Sequence, residues 1–144
     1  YIMTNYALIC DMANFVGLIG IILIFNTPLH NIDKYMIYYL FSGLFLYFQS
    51  RINDIPTLIE IYHYMQAFAF ILIPYISYSK GLLSWHLFFM IFTLASRKKI
   101  NGCIVRKLES DKPLTQNSFT DKFDWDIIFP LLALSSLANL YIYH

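Results

Sequence analysis

Charged residues are scarce in this chain of 144 residues, because Asp, Glu, Lys and Arg together make up only 13% of it. Apolar residues make up 58%, a balance outside the usual range of soluble globular proteins. The apolar stretches also lack the polar stripe that a soluble amphipathic helix turns toward water, as residues 17–25 and 67–73 illustrate. The shortage of charge therefore argues against a soluble helical core and indicates an integral membrane protein.

Three further shortages narrow the function. The two cysteines, Cys10 and Cys103, do not make a disulfide framework, and we expect them to be buried as small apolar residues. A formal net charge of +1, with no basic run that alternates with stacking aromatics, argues against nucleic-acid binding. The sequence has no Gly-x-Ser-x-Gly, no metal-type His/Cys cluster and no Gly-rich phosphate loop, so we expect no enzymatic activity.

The chain consists instead of five uncharged, mostly apolar stretches with nearly all its charges between them. A spanning helix needs about 20 apolar residues, with a range of roughly 17 to 25, and three stretches are long enough by themselves. The other two are 16 residues long, but they are flanked by Lys or Arg, whose long stems can extend the span. We therefore predict an all-α integral membrane helical bundle of four to five transmembrane helices, a single domain over residues 1–144. The spans are expected at residues 12–32, 35–50, 61–79, 81–96 and 127–144.

Basic residues are distributed unevenly between the two sides that these spans define. One side has Arg51, Arg97, Lys98, Lys99, Arg106, Lys107, Lys112 and Lys122. The other side has only Lys34 and Lys80. By the positive-inside rule the first side faces the cytoplasm or its equivalent, so the N-terminus is expected inside and the C-terminus outside. Because the first residue is Tyr1 rather than Met, we also expect that the true N-terminus is either missing or processed.

Proline and its neighbours mark several predicted helix ends. Pro28 is expected to stop the first span, because proline cannot donate a backbone hydrogen bond and disfavours the α conformation of the residue before it. Asp54 or its neighbour is expected to cap the third span, with Pro56 near its first turn. Lys80 and Gly81 form a very short connection between the third and fourth spans, so these two helices are expected to form a tight antiparallel hairpin.

Other residues predict how the spans meet the bilayer and each other. Trp85, near the outer edge, and Trp125, near the inner edge, are placed where interfacial aromatic belts occur. Pro74 and Pro130 lie inside spans, where groups on neighbouring helices must satisfy the carbonyl oxygens that proline leaves without a donor.

Two features predict where a helix packs or where a partner protein docks. Ala13, Gly17 and Gly20 recur at i, i+4 and i+7, and such a stripe of small residues lets a second helix approach closely. Residues 97–126 form a long polar loop on the positive-inside face, which we expect to be either a docking surface for a partner or a solvated connector.

Ionisable residues within the spans are costly and therefore candidates for chemistry. Asp11 and Glu60 lie near the inner ends of their spans, where we expect them to be interfacial carboxylates. Glu60 and His63 have the Glu-x-x-His spacing of di-iron bundles, and Gln66 continues the same helical face. Because no second Glu-x-x-His occurs, we expect no metal site, and we expect His63 and Gln66 to make hydrogen bonds between helices instead.

Haem is disfavoured as a cofactor of this chain. His63 and His86 lie near opposite ends of their spans, so a single iron atom cannot reach both. His30 and His86 are at similar depth and remain the alternative pair. For His86, next to Trp85, an interfacial hydrogen bond is expected.

One stretch resembles a known group of proteins. Trp85 and His86 open the fourth span, and the motif Cys103-x4-Leu108-Glu109 follows after a basic turn. This arrangement resembles small multi-span membrane proteins of unknown function, found in bacteria and in large DNA viruses, that have a His followed by Cys-Pro-Leu-Thr-x-Leu-Glu. Residues 104–106 here are Ile-Val-Arg, where that motif has Pro-Leu-Thr. The motif also predicts that Glu109 pairs with one of the basic residues Arg97, Lys98 and Lys99.

These observations predict a non-catalytic structural or assembly protein that contacts lipid and other protein subunits. The resemblance implies the internal membrane of a large DNA virus, where the chain would contact capsid proteins. The Phe-, Tyr- and Ile-rich composition is also similar to that of subunits encoded by AT-rich mitochondrial genomes. An accessory subunit of a respiratory complex in the mitochondrial inner membrane is therefore the alternative, and a small transporter or channel is the third.

Overall fold

The computed structural model describes residues 2–100, 103–105 and 124–142, and most of these residues are helical. Five long helices follow one another in this part of the chain: α1 (Ile2–Phe25), α2 (Asn31–Asn53), α3 (Pro56–Ile76), α4 (Lys80–Ile100) and α5 (Trp125–Ile142). No strand occurs among the described residues, so the all-α prediction is confirmed.

Three of the helices are long and apolar enough to cross a membrane. They are Tyr6–Phe25 of α1, Pro56–Ile76 of α3 and Trp125–Ile142 of α5. The helices α2 and α4 do not meet this standard, so fewer helices qualify by composition than the four to five predicted. Both are more polar, since α2 contains four tyrosines and α4 ends in Arg97, Lys98 and Lys99.

The helix ends agree with the sequence at two positions and differ at a third. The first helix ends at Phe25, ahead of Pro28, and α3 begins at Pro56, as predicted. Asp54 or its neighbour was predicted to cap the start of α3, but Asp54 caps the end of α2 in the left-handed conformation, with φ 54° and ψ 51°. Aspartate tolerates this conformation better than most residues, and a left-handed residue ends a helix. The residue before α3 is Ile55, which makes no side-chain cap.

Side-chain contacts show that α1 runs antiparallel to α2 and to α4. Arg51, near the end of α2, contacts Asp11 in the first half of α1. Ile24, near the end of α1, lies against Gly81 at the start of α4. The expected contact between α3 and α4 is present, although the most extensive pairings are α2 with α3 and α4 with α5.

The antiparallel order collects basic residues at one end of the bundle, which we call the basic end. Its described basic residues are Arg51, Arg97, Lys98 and Lys99. Lys34 and Lys80 lie at the opposite end, as predicted from the sequence. The remaining members of the inside-facing set, together with Leu108 and Glu109, lie outside the described residues.

A buried carboxylate holds the opposite end together. Asp33, in the first turn of α2, is only 1% exposed. Its Oδ1 accepts hydrogen bonds from Ser77 Oγ at 2.7 Å and from the backbone N–H of Tyr78 at 3.1 Å. The start of α2 is thus tied to the connection between α3 and α4.

The outer surface of the bundle carries many large apolar side chains, and its largely apolar core contains a few polar ones. Large apolar side chains are exposed on all five helices, for example Phe15, Phe45, Phe68, Phe88 and Leu134. Several polar side chains are buried between helices: Asn14, Asp33, Ser50, His86 and Ser136.

Candidate functional site

A cavity of about 330 Å³ lies between α1, α3, α4 and α5 near the basic end. Its walls are largely aromatic and apolar: Phe70, Phe89, Phe92, Ile104, Trp125 and Phe129. Polar side chains also border it: Asn14, Tyr62, His63, Gln66, Thr93 and Arg97. This combination of an apolar body with a few polar groups is the usual composition of a small-molecule site.

Close contacts join α1 to α4 next to the cavity. An added Cβ at Gly17 would lie 2.7 Å from Phe89 Cζ, and one at Gly20 would lie 2.8 Å from Trp85 Cδ1. Trp85 Nε1 also donates a hydrogen bond to the backbone carbonyl of Gly17 at 3.1 Å. The two glycines therefore receive the aromatic rings of α4, while Ala13, the third member of the stripe, lines the cavity.

Trp85 and His86 both differ from the interfacial placement that the sequence suggested. Trp85 is only 7% exposed and His86 is completely buried. His86 Nε2 lies 2.9 Å from the backbone carbonyl of Phe70, and its Nδ1 lies 2.7 Å from Ser136 Oγ. Because both ring nitrogens are engaged in these contacts, the pairing of His86 with His30 on a haem iron does not fit this geometry.

A chain of hydrogen bonds runs along the wall of the cavity from α3 to α1. Gln66 Nε2 donates to Tyr62 Oη at 2.7 Å, and Tyr62 Oη donates to Asn14 Oδ1. Asn14 Nδ2 then donates to the backbone carbonyl of Cys10 at 2.9 Å. Gln66 Oε1 is buried and has no hydrogen-bond partner among the described residues. A buried acceptor without a donor costs about 1–3 kcal/mol, so this oxygen is a feature that requires explanation.

The polar groups nearest the basic end connect other elements. His63 Nε2 lies 3.5 Å from Cys103 Sγ, so His63 contacts the segment 103–105. Arg97 Nε donates to Asp126 Oδ1 at 2.9 Å, and the guanidinium lies over the Phe129 ring at 5.9 Å from its centroid. These contacts join α3 to the segment and α4 to α5.

Asp11 forms a second polar cluster at the basic end, between α1 and α2. Its two carboxylate oxygens accept hydrogen bonds from Arg51 at 3.1 and 3.2 Å. Tyr47 Oη, which belongs to a fully buried side chain, also donates to Asp11. The predicted interfacial carboxylate is therefore one half of a partly exposed ion pair.

The structure brings together some of the residues that the sequence singled out and separates others. His63, Gln66, Arg97 and Cys103 all border the cavity together with Ala13. Lys98 and Lys99 are exposed on α4 at the basic end. Leu108 and Glu109 lie beyond the described part of the chain, so their predicted roles stay predictions.

Two residues at the centre of the site were missed from the sequence. Asn14 and Tyr62 link α1 to α3, and both are nearly inaccessible. The sequence does hold a signal for Asn14, because it is an amide in the middle of a largely apolar helix. Asn14 is not ionisable, so it is not among the residues that the cost of a buried charge singles out.

The described residues contain no group of three or more His, Cys, Asp or Glu side chains that could hold a metal ion. Cys10 and Cys103 border the same cavity as thiols and are not joined by a disulfide. Comparison with protein-family models, with curated proteins and with solved structures gave no match.

Proposed function

We propose that this protein is a non-catalytic integral membrane structural or assembly protein that crosses the bilayer five times. The large apolar side chains exposed on all five helices are the observation that supports this proposal most strongly. In a bilayer the apolar outer side chains contact lipid, and the buried polar side chains hold neighbouring helices together. The described polar groups of the site are used mainly in such contacts between elements.

The two less apolar helices are proposed to span the membrane as well. They contain 23 and 21 residues, which at 1.5 Å per residue gives lengths of about 32–35 Å, enough for a hydrocarbon core of about 30 Å. Each packs antiparallel against helices that are apolar enough to span. Several of their polar groups, such as Tyr47 and His86, are turned toward the protein interior.

Labelling of single cysteines in sealed vesicles tests the five-span arrangement. In a background with Cys10→Ala and Cys103→Ala, a membrane-impermeant maleimide should label Lys34→Cys and Asn53→Cys from opposite faces. The same opposition is expected for the two ends of α4, at Lys80→Cys and Lys98→Cys. All four positions are exposed in the structure, so access is limited only by the bilayer. Labelling of both ends of α2 or of α4 from one face would contradict the proposal.

We further propose that the chain resides in the internal membrane of a large DNA virus and that its 97–126 segment docks a capsid protein. The resemblance of Trp85, His86 and Cys103 to the motif of the viral and bacterial group supports this location. Most of the segment lies outside the described residues, so the proposal depends on its length and polarity. Purified virions should contain the protein, and cross-linking should recover a neighbour that is lost when residues 110–122 are deleted. An unchanged neighbour after the deletion would exclude docking through this segment.

A further inference from the structure

We infer that the cavity near the basic end binds a single-chain anionic amphiphile of the fatty-acid class, with its carboxylate on the guanidinium of Arg97 and its chain among the aromatic side chains deeper in the bundle. Such binding is independent of the proposed assembly role, because it involves only the interior of the bundle. Three properties of the cavity support it: the change of its lining along the helices, the charge of that lining, and the volume.

The lining of the cavity is polar toward the basic end and apolar deeper in the bundle. The helix α4 ends at the basic end, and its lining residues include Phe89, Thr93 and Arg97, which follow one another at intervals of about one turn. The helix α3 begins at the basic end, and its lining changes from His63 to Phe70 with increasing depth. At 1.5 Å per residue, each row extends about 10–12 Å along its helix. An elongated ligand would therefore place a polar head at the basic end and an apolar chain in the interior.

Arg97 gives the polar end of the cavity a positive charge. It is the only described Lys or Arg that lines the cavity, and none of the described Asp and Glu residues does so. In the described part of the chain only its Nε makes a hydrogen bond, to Asp126, so the terminal nitrogens of the guanidinium keep their donors for a ligand. The guanidinium lies over the ring of Phe129, which also lines the cavity. Because arginine can donate to both oxygens of a carboxylate, an anionic head fits this end of the cavity.

Asp126 is the carboxylate with which a ligand has to compete for Arg97. The side chain of Asp126 is 71% exposed and does not line the cavity, whereas the side chain of Arg97 is only 18% exposed. An ion pair whose acid remains in water contributes little to stability. Asp126 therefore opposes a ligand carboxylate only weakly.

The deeper walls and the volume determine the body of the ligand. The rings of Phe70, Phe89 and Phe92 line the interior part. The volume of about 330 Å³ is about twice that of an engineered apolar cavity of 150 Å³ that binds benzene, so the space suits one chain of moderate length. Tyr62 Oη already bonds on both sides, and Gln66 Oε1 is inaccessible to a ligand, so neither offers a partner for a further polar group. The body of the ligand is therefore apolar.

A matched pair of probes, octanoate and 1-octanol, tests the inference on the full-length protein in micelles of a neutral detergent. The two probes have alkyl chains of similar length, but only octanoate is charged at neutral pH. Binding is measured from the rise in melting temperature with probe concentration. Octanoate should bind about tenfold more tightly than 1-octanol, because hydrogen bonds between charged groups are stronger than those of a neutral hydroxyl.

Two substitutions test the head-group contact, and a third serves as the control. Arg97→Gln should abolish the preference for octanoate and leave the binding of 1-octanol unchanged, because only the anion loses its counter-charge. Lys98→Gln removes the same charge from the next residue, which is exposed and does not line the cavity, and should change neither probe. Asp126→Asn should strengthen the binding of octanoate by up to about fivefold, because the competing carboxylate is removed.

A further pair of substitutions tests the position of the chain. Ala67→Leu should weaken both probes, since Ala67 lines the cavity. Ala138→Leu adds the same side chain on the exposed surface of α5 and should change neither. If Arg97→Gln does not fold, Asp126→Asn and Ala67→Leu still decide.

Several outcomes would overturn the inference. Equal binding of octanoate and 1-octanol would show that Arg97 does not contact the head group. A preference for octanoate that survives Arg97→Gln, or that Lys98→Gln reduces equally, would attribute it to the general charge of the surface. Weaker binding of octanoate to Asp126→Asn would contradict the competition for Arg97. Binding unaffected by Ala67→Leu would place the probes outside the cavity, and the absence of binding by both probes would reject the site.

Discussion

Phe89 and Trp85 project from α4 onto two positions of α1 that have no side chain. The ring of Phe89 occupies the space beside Gly17, and the ring of Trp85 occupies the space beside Gly20. The small residues therefore act as receiving surfaces for large side chains rather than as a seam between two bare backbones. This pairing also leads the indole N–H of Trp85 to the carbonyl of Gly17, which satisfies a donor buried in the bundle.

Gly17→Ala should destabilise the protein by about 1–3 kcal/mol, the usual cost of overpacking a core. The new Cβ would lie 2.7 Å from the Phe89 ring, so that ring must move. Gly43→Ala is the matched control, because its Cβ would meet Tyr62 at an ordinary 3.7 Å. Removing a glycine from a helix interior should stabilise it by about 0.5–1 kcal/mol. Unfolding free energies measured by SDS titration in micelles check both values, and equal effects would contradict this account of the α1–α4 contact.

At the scale of elements, Pro74 connects three helices. Proline at this position removes the helical hydrogen bond to the carbonyl of Phe70 within α3. His86 on α4 meets that carbonyl, and Ser136 on α5 meets the other nitrogen of His86. Asn139 on α5 donates to the carbonyl of Pro74 itself. The interruption of one helix thus creates the polar contacts that join it to two others.

His86→Leu should destabilise the protein by about 1–3 kcal/mol, because it leaves the buried carbonyl of Phe70 without a donor. The cost should be smaller when Pro74→Ala is also present, because the restored N–H of residue 74 can then serve that carbonyl. A double-mutant cycle of unfolding free energies in micelles measures this coupling. Additive effects of the two substitutions would show that His86 does not compensate for the proline.

At the scale of the whole molecule, the positions of apolar and polar side chains indicate whether the bundle is suited to water or to lipid. Apolar side chains cover the outer surfaces of helices, whereas the polar network and the buried histidine lie inside. A water-soluble bundle would be destabilised by such an arrangement, since burial of apolar area is the main driving force of folding in water. In a bilayer the outer surface needs no burial, and hydrogen bonds and close packing hold the helices together.

Leu134→Lys distinguishes the two solvents. Leu134 lies near the middle of α5 with 61% of its surface exposed, so lysine there should be harmless in water. In a membrane, lysine at this position should make the free energy of inserting α5 less favourable by about 2.5–3.5 kcal/mol on a translocon scale. Tyr141→Lys, near the end of the same helix and 89% exposed, is the control and should have a much smaller effect. Equal insertion of both variants, measured by glycosylation of reporter sites in microsomes, would argue against a spanning α5.

Much of the secondary structure could be predicted from local signals. Proline marks the end of α1 and the start of α3, because it constrains the backbone wherever it occurs. The cap at Asp54 could not be assigned in the same way, since the connection is so short that one residue can end α2 or begin α3. The left-handed backbone of Asp54 assigns it to the end of α2.

The site was less predictable than the helices. His63 and Gln66 were recognised as polar residues on one face of a helix, but their partners are Cys103 and Tyr62. The first partner is distant in sequence, and the second is on the same helix. The sequence does not give the orientation of α1 relative to α3. It therefore did not indicate that Asn14 completes the chain of hydrogen bonds.

The amino-acid sequence by itself determined that this protein is helical and apolar enough for a membrane, because hydropathy and proline act locally along the chain. Tertiary structure alone decided which helices pair, that His86 is buried against Phe70 and Ser136, and that Gln66 retains an unpaired acceptor beside a cavity. The reason is physical: these properties depend on the relative rotation and depth of helices. Those are determined by side-chain packing between residues far apart in the chain.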